Sequence, residues 1–264
     1  MYMPSSHAIL HFQETILSWY AQHKRDVPWR HTQDPYAIIV SEIMLQQTQV
    51  SRVIGYYHRF LQLYPNIKTL AQAQTVQLLQ VWSGLGYNSR ALRLRSMAQH
   101  VVQHHKAKMP HTQEALLALP GVGPYTAGAV MAFAYNKDVV VIDTNIRRVI
   151  LDWFDIPDTI HSNELQEIVW ACLPKGQARV WYNALMDWGA MERTAKKTGI
   201  KPLSKQSAFE GSTRQIRGYI MKHVIHNPLS IDTIPFDAQK TKEVIQKMKK
   251  EHLLIQEDTT LYIR

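Results

Sequence analysis

One cysteine in 264 residues is too few for a disulfide framework or for a metal cluster built on thiolates. That cysteine, Cys172, lies in the apolar segment WACLP and reads as a small buried hydrophobe rather than a reactive thiol. Also missing is any uninterrupted apolar run of about 18 residues, the length a membrane-spanning helix needs. The opening stretch MYMPSSHAILHFQETILSWY has polar and acidic residues where a signal peptide requires an unbroken apolar region, so a cytoplasmic protein with no membrane partner is expected. Acidic residues are comparatively scarce, 21 against 30 lysines and arginines. The resulting formal charge of +9 favours a polyanionic partner, nucleic acid first among them. Strand-like alternation is nearly absent before residue 210, and there is no internal repeat or extended low-complexity tract.

Helical periodicity is what the chain does have. Ile9, Phe12, Ile16 and Trp19 suit one face of a first helix, and Ile39, Ile43, Gln46 and Val50 line another in YAIIVSEIMLQQTQV. Pro110, Pro120, Pro157 and Pro174 fall where helices start or stop. EALLALP at 114–120 predicts a short helix stopped by proline, and 124–135 predicts a second, entered through Pro124 at its first turn, so the two form a helix-hairpin-helix. After Ala190 a lysine-rich, poorly apolar stretch reads as a linker or surface loop. From Thr213 a helix, a second helix and an alternating LIQEDTTLYIR predict a winged-helix-like module with a β-hairpin around Asp258; the lysines within 246–250 read as a solvated helix face.

Chemistry is suggested at three places. Gly121 and Gly123 in LPGVGPYTA permit a tight turn whose backbone N–H groups, with the following helix's positive end, suit a phosphate. Twenty residues past Gly123 stands Asp143 in VIDTNIRR, readable as a helix N-cap, as a catalytic carboxylate beside the phosphate clamp, or as both; the basic pair Arg147 and Arg148 adds charge there. Glu42 has isoleucines at 38, 39 and 43 around it. It is either a surface glutamate or a desolvated carboxyl with a raised pKa, as a general acid near neutrality requires.

VPWR at 27–30, DPY at 34–36, SEIMLQQTQV at 41–50, WSGLGYNSRA at 82–91, LPGVGPYTAGAV at 119–130, IDTNIRRV at 142–149 and NALMDWGAM at 183–191 occur in one order. In that order they resemble MutY-type adenine DNA glycosylases of the helix-hairpin-helix superfamily that also contains endonuclease III. The resemblance covers roughly residues 8–191. It implies that Glu42 protonates adenine, a poor leaving group as an anion, and that Asp143 stabilises the oxocarbenium-like transition state while water adds. Asn145 is then expected to hold that arrangement. Tyr125 occupies the position where bifunctional relatives carry a nucleophilic lysine; tyrosine forms no Schiff base, so base removal without efficient strand cleavage is expected. By the same resemblance Gln47 and Tyr87, otherwise a helix-face glutamine and a core tyrosine, are wedge residues that hold open the gap left by an extruded nucleotide. Arg25, Trp29, Arg30 and Leu45 resemble the base pocket. Gly121, Gly123 and Arg147 resemble DNA-backbone contacts, and the hairpin turn is expected to be able to hold a monovalent cation through carbonyls.

The chain departs from the family at three points. Asn88 replaces the commoner second tyrosine of GLGYY. Residues 192–208 carry none of the four cysteines that bind the family's iron–sulfur cluster, so no cofactor or metal is expected, and lysines 196, 197, 201 and 205 either replace its phosphate contacts or belong to a plain solvated loop. The family's C-terminal domain, NUDIX-like and responsible for reading 8-oxoguanine, would need about a hundred residues, and only 213–264 remain.

The expected fold is all-α and two-lobed. One lobe spans 30–133 and the other joins 1–29 to 134–210, with the cleft and active site between them and the winged-helix-like module over 211–264. The expected function is a monomeric, monofunctional glycosylase of base excision repair, nucleoid-associated, acting on adenine opposite 8-oxoguanine or guanine in double-stranded DNA. The competing readings are a thymine or uracil mismatch glycosylase and a noncatalytic DNA-binding protein of the same fold.

Overall fold

The computed structural model describes residues 2–201 and 208–264. Lys205, one of the four loop lysines, lies outside them. Among the described residues the chain forms α1 Ser6–His23, α2 Pro35–Leu45, α3 Val50–Leu63, α4 Ile67–Ala71, α5 Thr75–Trp82, α6 Ser89–His104 and α7 Gln113–Leu117. There follow α8 Pro124–Phe133, α9 Thr144–Trp153, α10 Ser162–Ala171, α11 Ala178–Met191 and α12 Ala195–Thr198. The terminal module adds α13 Thr213–Val224, β1 Leu229–Ser230, α14 Ala238–Lys250, β2 Leu254–Glu257 and β3 Thr260–Ile263. The all-helical reading with a small terminal sheet holds. Two compact units emerge: Met1–Glu42 with Met109–Ala118 and Val122–Lys205, and Ile43–Lys108 with Leu119–Gly121 and Gln206–Arg264.

In the first unit α1 packs on α11, and α11 on α9 and α8. Phe12 and Ile16, one turn apart on α1, are fully buried. The Phe12 ring meets Trp153, Phe154 and Trp181 at centroid distances of 4.9, 5.1 and 5.2 Å. Burying side chains of this size stabilises the unit by about 1.5–3 kcal/mol each. Helix starts follow local chemistry. Ser5, Thr112 and Asp143 cap α1, α7 and α9 through their side-chain oxygens, and Pro124 opens α8 at its first turn, where a missing N–H costs nothing. The paired α7 and α8 supply the expected helix-hairpin-helix, with Gly121 left-handed (φ 76°) in its turn, where a Cβ would come within 3.0 Å of the Arg93 Cβ.

In the second unit α4 packs on α6 and α5 on α3 and α6, around buried Phe60, Leu70, Leu79, Trp82 and Leu94. The terminal module packs α13 against α14 and both against an antiparallel sheet of order β1-β3-β2. Pairing of Glu257 with Thr260 leaves a two-residue turn, and Asp258 takes the positive φ (50°) that such turns favour.

One expected element is corrected. The apolar period through YAIIVSEIMLQQTQV reads as a single helix, but α2 ends at Leu45 and α3 begins at Val50. Between them Gln47 has a φ of 55°, so it stands in a loop rather than on a helix face.

Candidate active site

Glu42 sits on α2, where every residue from Tyr36 to Met44 is buried. No face of this segment is left for solvent, and Glu42 itself is 7 % exposed. Burial therefore pushes its carboxyl up to about 7; a hydrogen bond from Tyr125 on α8 draws it back in part, and the charge of Asp143 raises it further. Tyr125 in turn is held well above the ordinary phenol value by burial, then by the charges of Glu42 and Asp143, so it stays protonated and donates to Glu42.

Asp143 is fixed by the start of α9. Its Oδ1 accepts from the Ile146 N–H at 2.6 Å and its Oδ2 from Asn145 Nδ2 at 3.0 Å. Arg148 Nη2 donates to Asn145 Oδ1 at 2.7 Å and to the Gly189 carbonyl at 2.9 Å, so the asparagine is held from behind. Burial raises the Asp143 pKa, opposed by the Ile146 N–H, by Asn145 and by the Arg148 charge. These donors favour the anion, whereas Glu42 receives only the tyrosine. Burial raises both neighbouring carboxyls, but the donors on Asp143 oppose the rise there, while Glu42 is pushed up to about 7 and can hold a proton close to neutrality. The sequence-predicted quartet of Glu42, Tyr125, Asp143 and Asn145 is brought together.

Gln47 and Tyr87 share a backbone peculiarity: both adopt positive φ (55° and 47°), and Tyr87 is 39 % exposed rather than in the core. Such conformations persist in non-glycine residues only where the surroundings impose them. Here the surroundings are Arg90, buried on α6, whose guanidinium donates to the carbonyls of Ile43, Met44 and Gln46 at 2.7–3.0 Å. The same group donates to the carbonyls of Leu85 and Gly86 at 3.1 and 3.0 Å and lies 5.5 Å from the Trp82 and 5.6 Å from the Tyr87 ring centroid. One cation thereby satisfies the orphan carbonyls at the end of α2 and ties both loops together. Desolvation lowers its pKa to about 10, which leaves it charged.

The expected base-pocket arginines have a structural engagement. Arg25 Nε and Arg30 Nη1 and Nη2 all donate to Asp187, at 2.5, 2.6 and 2.7 Å, and Asp187 is fully buried. Burial alone would raise the Asp187 pKa, but Arg30, the Arg25 N–H and the Arg25 charge outweigh it and the net shift is downward. Trp29 lies in a short 3-10 turn, Pro28–Arg30, and Leu45 closes α2; both are partly exposed. Gly123 caps α8 in extended conformation with open space where a Cβ would stand. Arg147 is 8 % exposed and donates to the Asp158 carbonyl at 2.7 Å. Sequence reading singled out Arg148 only as half of the basic pair beside Asp143, and did not single out Arg90, Asp187 or Gly189. All lie within or beside the quoted motifs, but burial of a charge carries no signal in spacing.

The residues present do not fit a cluster held by four thiolates. The chain's one cysteine is buried at the end of α10, its thiol pushed up to about 12 by burial. Among the described residues no group of three or more histidines, cysteines, aspartates or glutamates is disposed to hold a metal. The segment after α11 is closed by protein contacts instead: the Arg193 carbonyl accepts from Arg148 Nε at 2.5 Å, Arg193 Nε lies 3.2 Å from Asp152, and Thr194 caps α12.

Residues 40–175, which hold this quartet and the hairpin, match the HhH-GPD superfamily of base excision DNA repair proteins, and the chain belongs to that superfamily. Within it the family is that of the MutY-type adenine DNA glycosylases. The adenine DNA glycosylase of Mycolicibacterium smegmatis is 36 % identical over 227 residues, covering 78 % of each chain. That of Mus musculus is 37 % identical over 222 residues, 79 % of this chain but only 43 % of the mouse protein, so the chain spans less than half the length of that relative. A solved thermostable thymine-DNA glycosylase superposes with a TM-score of 0.68 at 31 % identity, over 73 % of this chain and 90 % of that one. No helix among the described residues is long and apolar enough to cross a membrane.

Proposed function

We propose that this protein is a monofunctional DNA glycosylase of base excision repair that hydrolyses the N-glycosidic bond of adenine mispaired with 8-oxoguanine or guanine in double-stranded DNA. The observation that carries this reading is the buried carboxyl pair, Glu42 pushed up to about 7 and Asp143 beside it accepting from the Ile146 N–H and from Asn145. The proton on Glu42 passes to a ring nitrogen of the extruded adenine, so the C1′–N9 electron pair leaves on a neutral base. Asp143 faces the positive charge that develops on the sugar, water adds at C1′, and the proton that water loses returns to the Glu42 carboxylate. Tyr125 orients Glu42 and offers no amine to form a Schiff base, so adenine leaves and the sugar remains as an abasic site in an intact strand. Gln47 and Tyr87 occupy the gap, held by Arg90. The enzyme works as a monomer, without an iron–sulfur cluster, at the nucleoid; the Arg193 and Asp152 contacts close the loop that a cluster would organise.

The thymine-DNA glycosylase likeness favours one alternative, a pyrimidine mismatch enzyme. A pyrimidine leaves as a stabilised anion and has less need of the protonated Glu42. Single-turnover base release from duplexes with adenine opposite 8-oxoguanine, adenine opposite guanine, thymine opposite guanine and uracil opposite guanine separates them. Adenine release without strand nicking is expected; release of thymine or uracil alone would overturn the reading.

A further inference from the structure

We infer that the terminal module's first helix, α13, completes a cationic cavity with the two wedge loops, and that this cavity binds the sugar-phosphate backbone of the DNA beside the wedge. The inference rests on the proposed glycosylase reading only in taking DNA as the partner. The cavity has a volume of about 480 Å³, and among the described residues every charged side chain lining it is a cation: Arg52, Arg214, Arg217 and Lys222. Arg214, Gly218 and Lys222 follow at four-residue spacing along α13 and so share one face. Gln47 and Tyr87, the two strained loop residues, line the same cavity.

The chemistry of the lining selects a phosphodiester. Arg217 is held in a bidentate ion pair with Glu251, at 2.5 and 3.1 Å, which offsets its charge, so the attraction for a polyanion comes from Arg52, Arg214 and Lys222. Arg214 lies 5.9 Å from the Phe209 ring centroid, an arrangement that orients its guanidinium over a flat apolar surface. Gly218 is the second clue. A glycine inside a helix costs about 1 kcal/mol relative to alanine, and nothing lies within 4 Å of the Cβ it lacks, so packing does not demand it. It lines the cavity, where the missing side chain leaves open space. The terminal module is therefore part of the DNA-binding surface, coupled to the wedge by a shared site, rather than a tethered appendage.

The test is the salt dependence of binding to a fluorescein-labelled duplex with adenine opposite guanine, measured by anisotropy on the full chain. Each lost phosphate contact lowers the slope of log K against log salt by about one. The double variant Arg214→Ala/Lys222→Ala is expected to lose about two such contacts, so that its fall in affinity between about 50 and about 200 mM salt is about tenfold smaller than that of the wild type. Gly218→Glu, which puts a carboxylate into the cavity, is expected to weaken low-salt binding about tenfold. The charge-matched variant Lys247→Ala/Lys250→Ala, outside the cavity, is expected to keep the wild-type slope to within half a contact or so. An unchanged slope in the cavity variants at unchanged melting temperature would overturn the inference, as would competition by free deoxynucleoside monophosphate at the duplex's own affinity. If the cavity variants respond but no duplex loses its adenine, the functional reading fails and this inference stands. If adenine is released and the slopes are equal, only this inference fails.

Discussion

Replacing Glu42 by glutamine should make the protein more stable, and by an amount that depends on pH in a set direction. Burial moves this carboxyl from its ordinary 4.5 to about 7 in the fold. The folded state therefore binds the Glu42 proton more tightly than the unfolded chain does. The stability this proton confers is fully present below about pH 4.5 and is lost as pH climbs through about 7. Each tenfold difference in proton affinity is worth about 1.4 kcal/mol, so the loss approaches about 3 kcal/mol once Glu42 is ionised. Glutamine keeps the shape and never ionises. Urea unfolding of wild type and Glu42→Gln at about pH 5 and about pH 8.5 should give stabilities that are close at the acid end and diverge by about 3 kcal/mol, in the variant's favour, at the alkaline end. Asp143 shifts in the same direction in both proteins and largely cancels in the difference. Parallel stability curves would show that Glu42 is solvated like a surface carboxylate, and the argument for its acid role would go with them.

Arg90→Met should destabilise by about 3–5 kcal/mol in urea unfolding, because five carbonyls lose a charged donor in buried surroundings; Arg90→Lys should recover less than half, since an ammonium cannot span both loops. Asp187→Asn leaves two arginines facing a neutral amide in a fully buried site, and a loss of about 3–5 kcal/mol is expected in the same assay. Gly189→Ala places a methyl 2.8 Å from Asn145 Cβ and 3.0 Å from the Asn145 carbonyl, so a cost of about 1–3 kcal/mol should come with slower base release as Asn145 shifts under Asp143; release at the wild-type rate would free Asn145 of its positioning role.

Much of this was legible in the sequence because its signals are local. Pro124 and Asp143 announce helix starts by their own chemistry, and the alternation in LIQEDTTLYIR announces a hairpin. Glu42 among isoleucines was ambiguous on spacing alone, since three apolar neighbours do not say whether the opposite face is covered; the fold covers it. The break after Leu45 was invisible because Arg90, some forty-five positions away, supplies the donors that let α2 end there. Asp187 and its two arginines were hidden for the same reason: an ion pair between residues about 160 apart leaves no periodic trace. The burial of Arg147 likewise depends on tertiary packing that its place in VIDTNIRR does not signal.

The most direct measurement is the pH dependence of single-turnover adenine release from a duplex with adenine opposite 8-oxoguanine, for the wild type and for Glu42→Gln and Asp143→Asn. Release by the wild type is expected to decline above about pH 7, as Glu42 surrenders its proton, with both variants bound to the duplex yet inactive at every pH. A rate that stays flat to pH 9 or so, or adenine freed by Glu42→Gln at the wild-type rate, would contradict a protonated Glu42 as the acid.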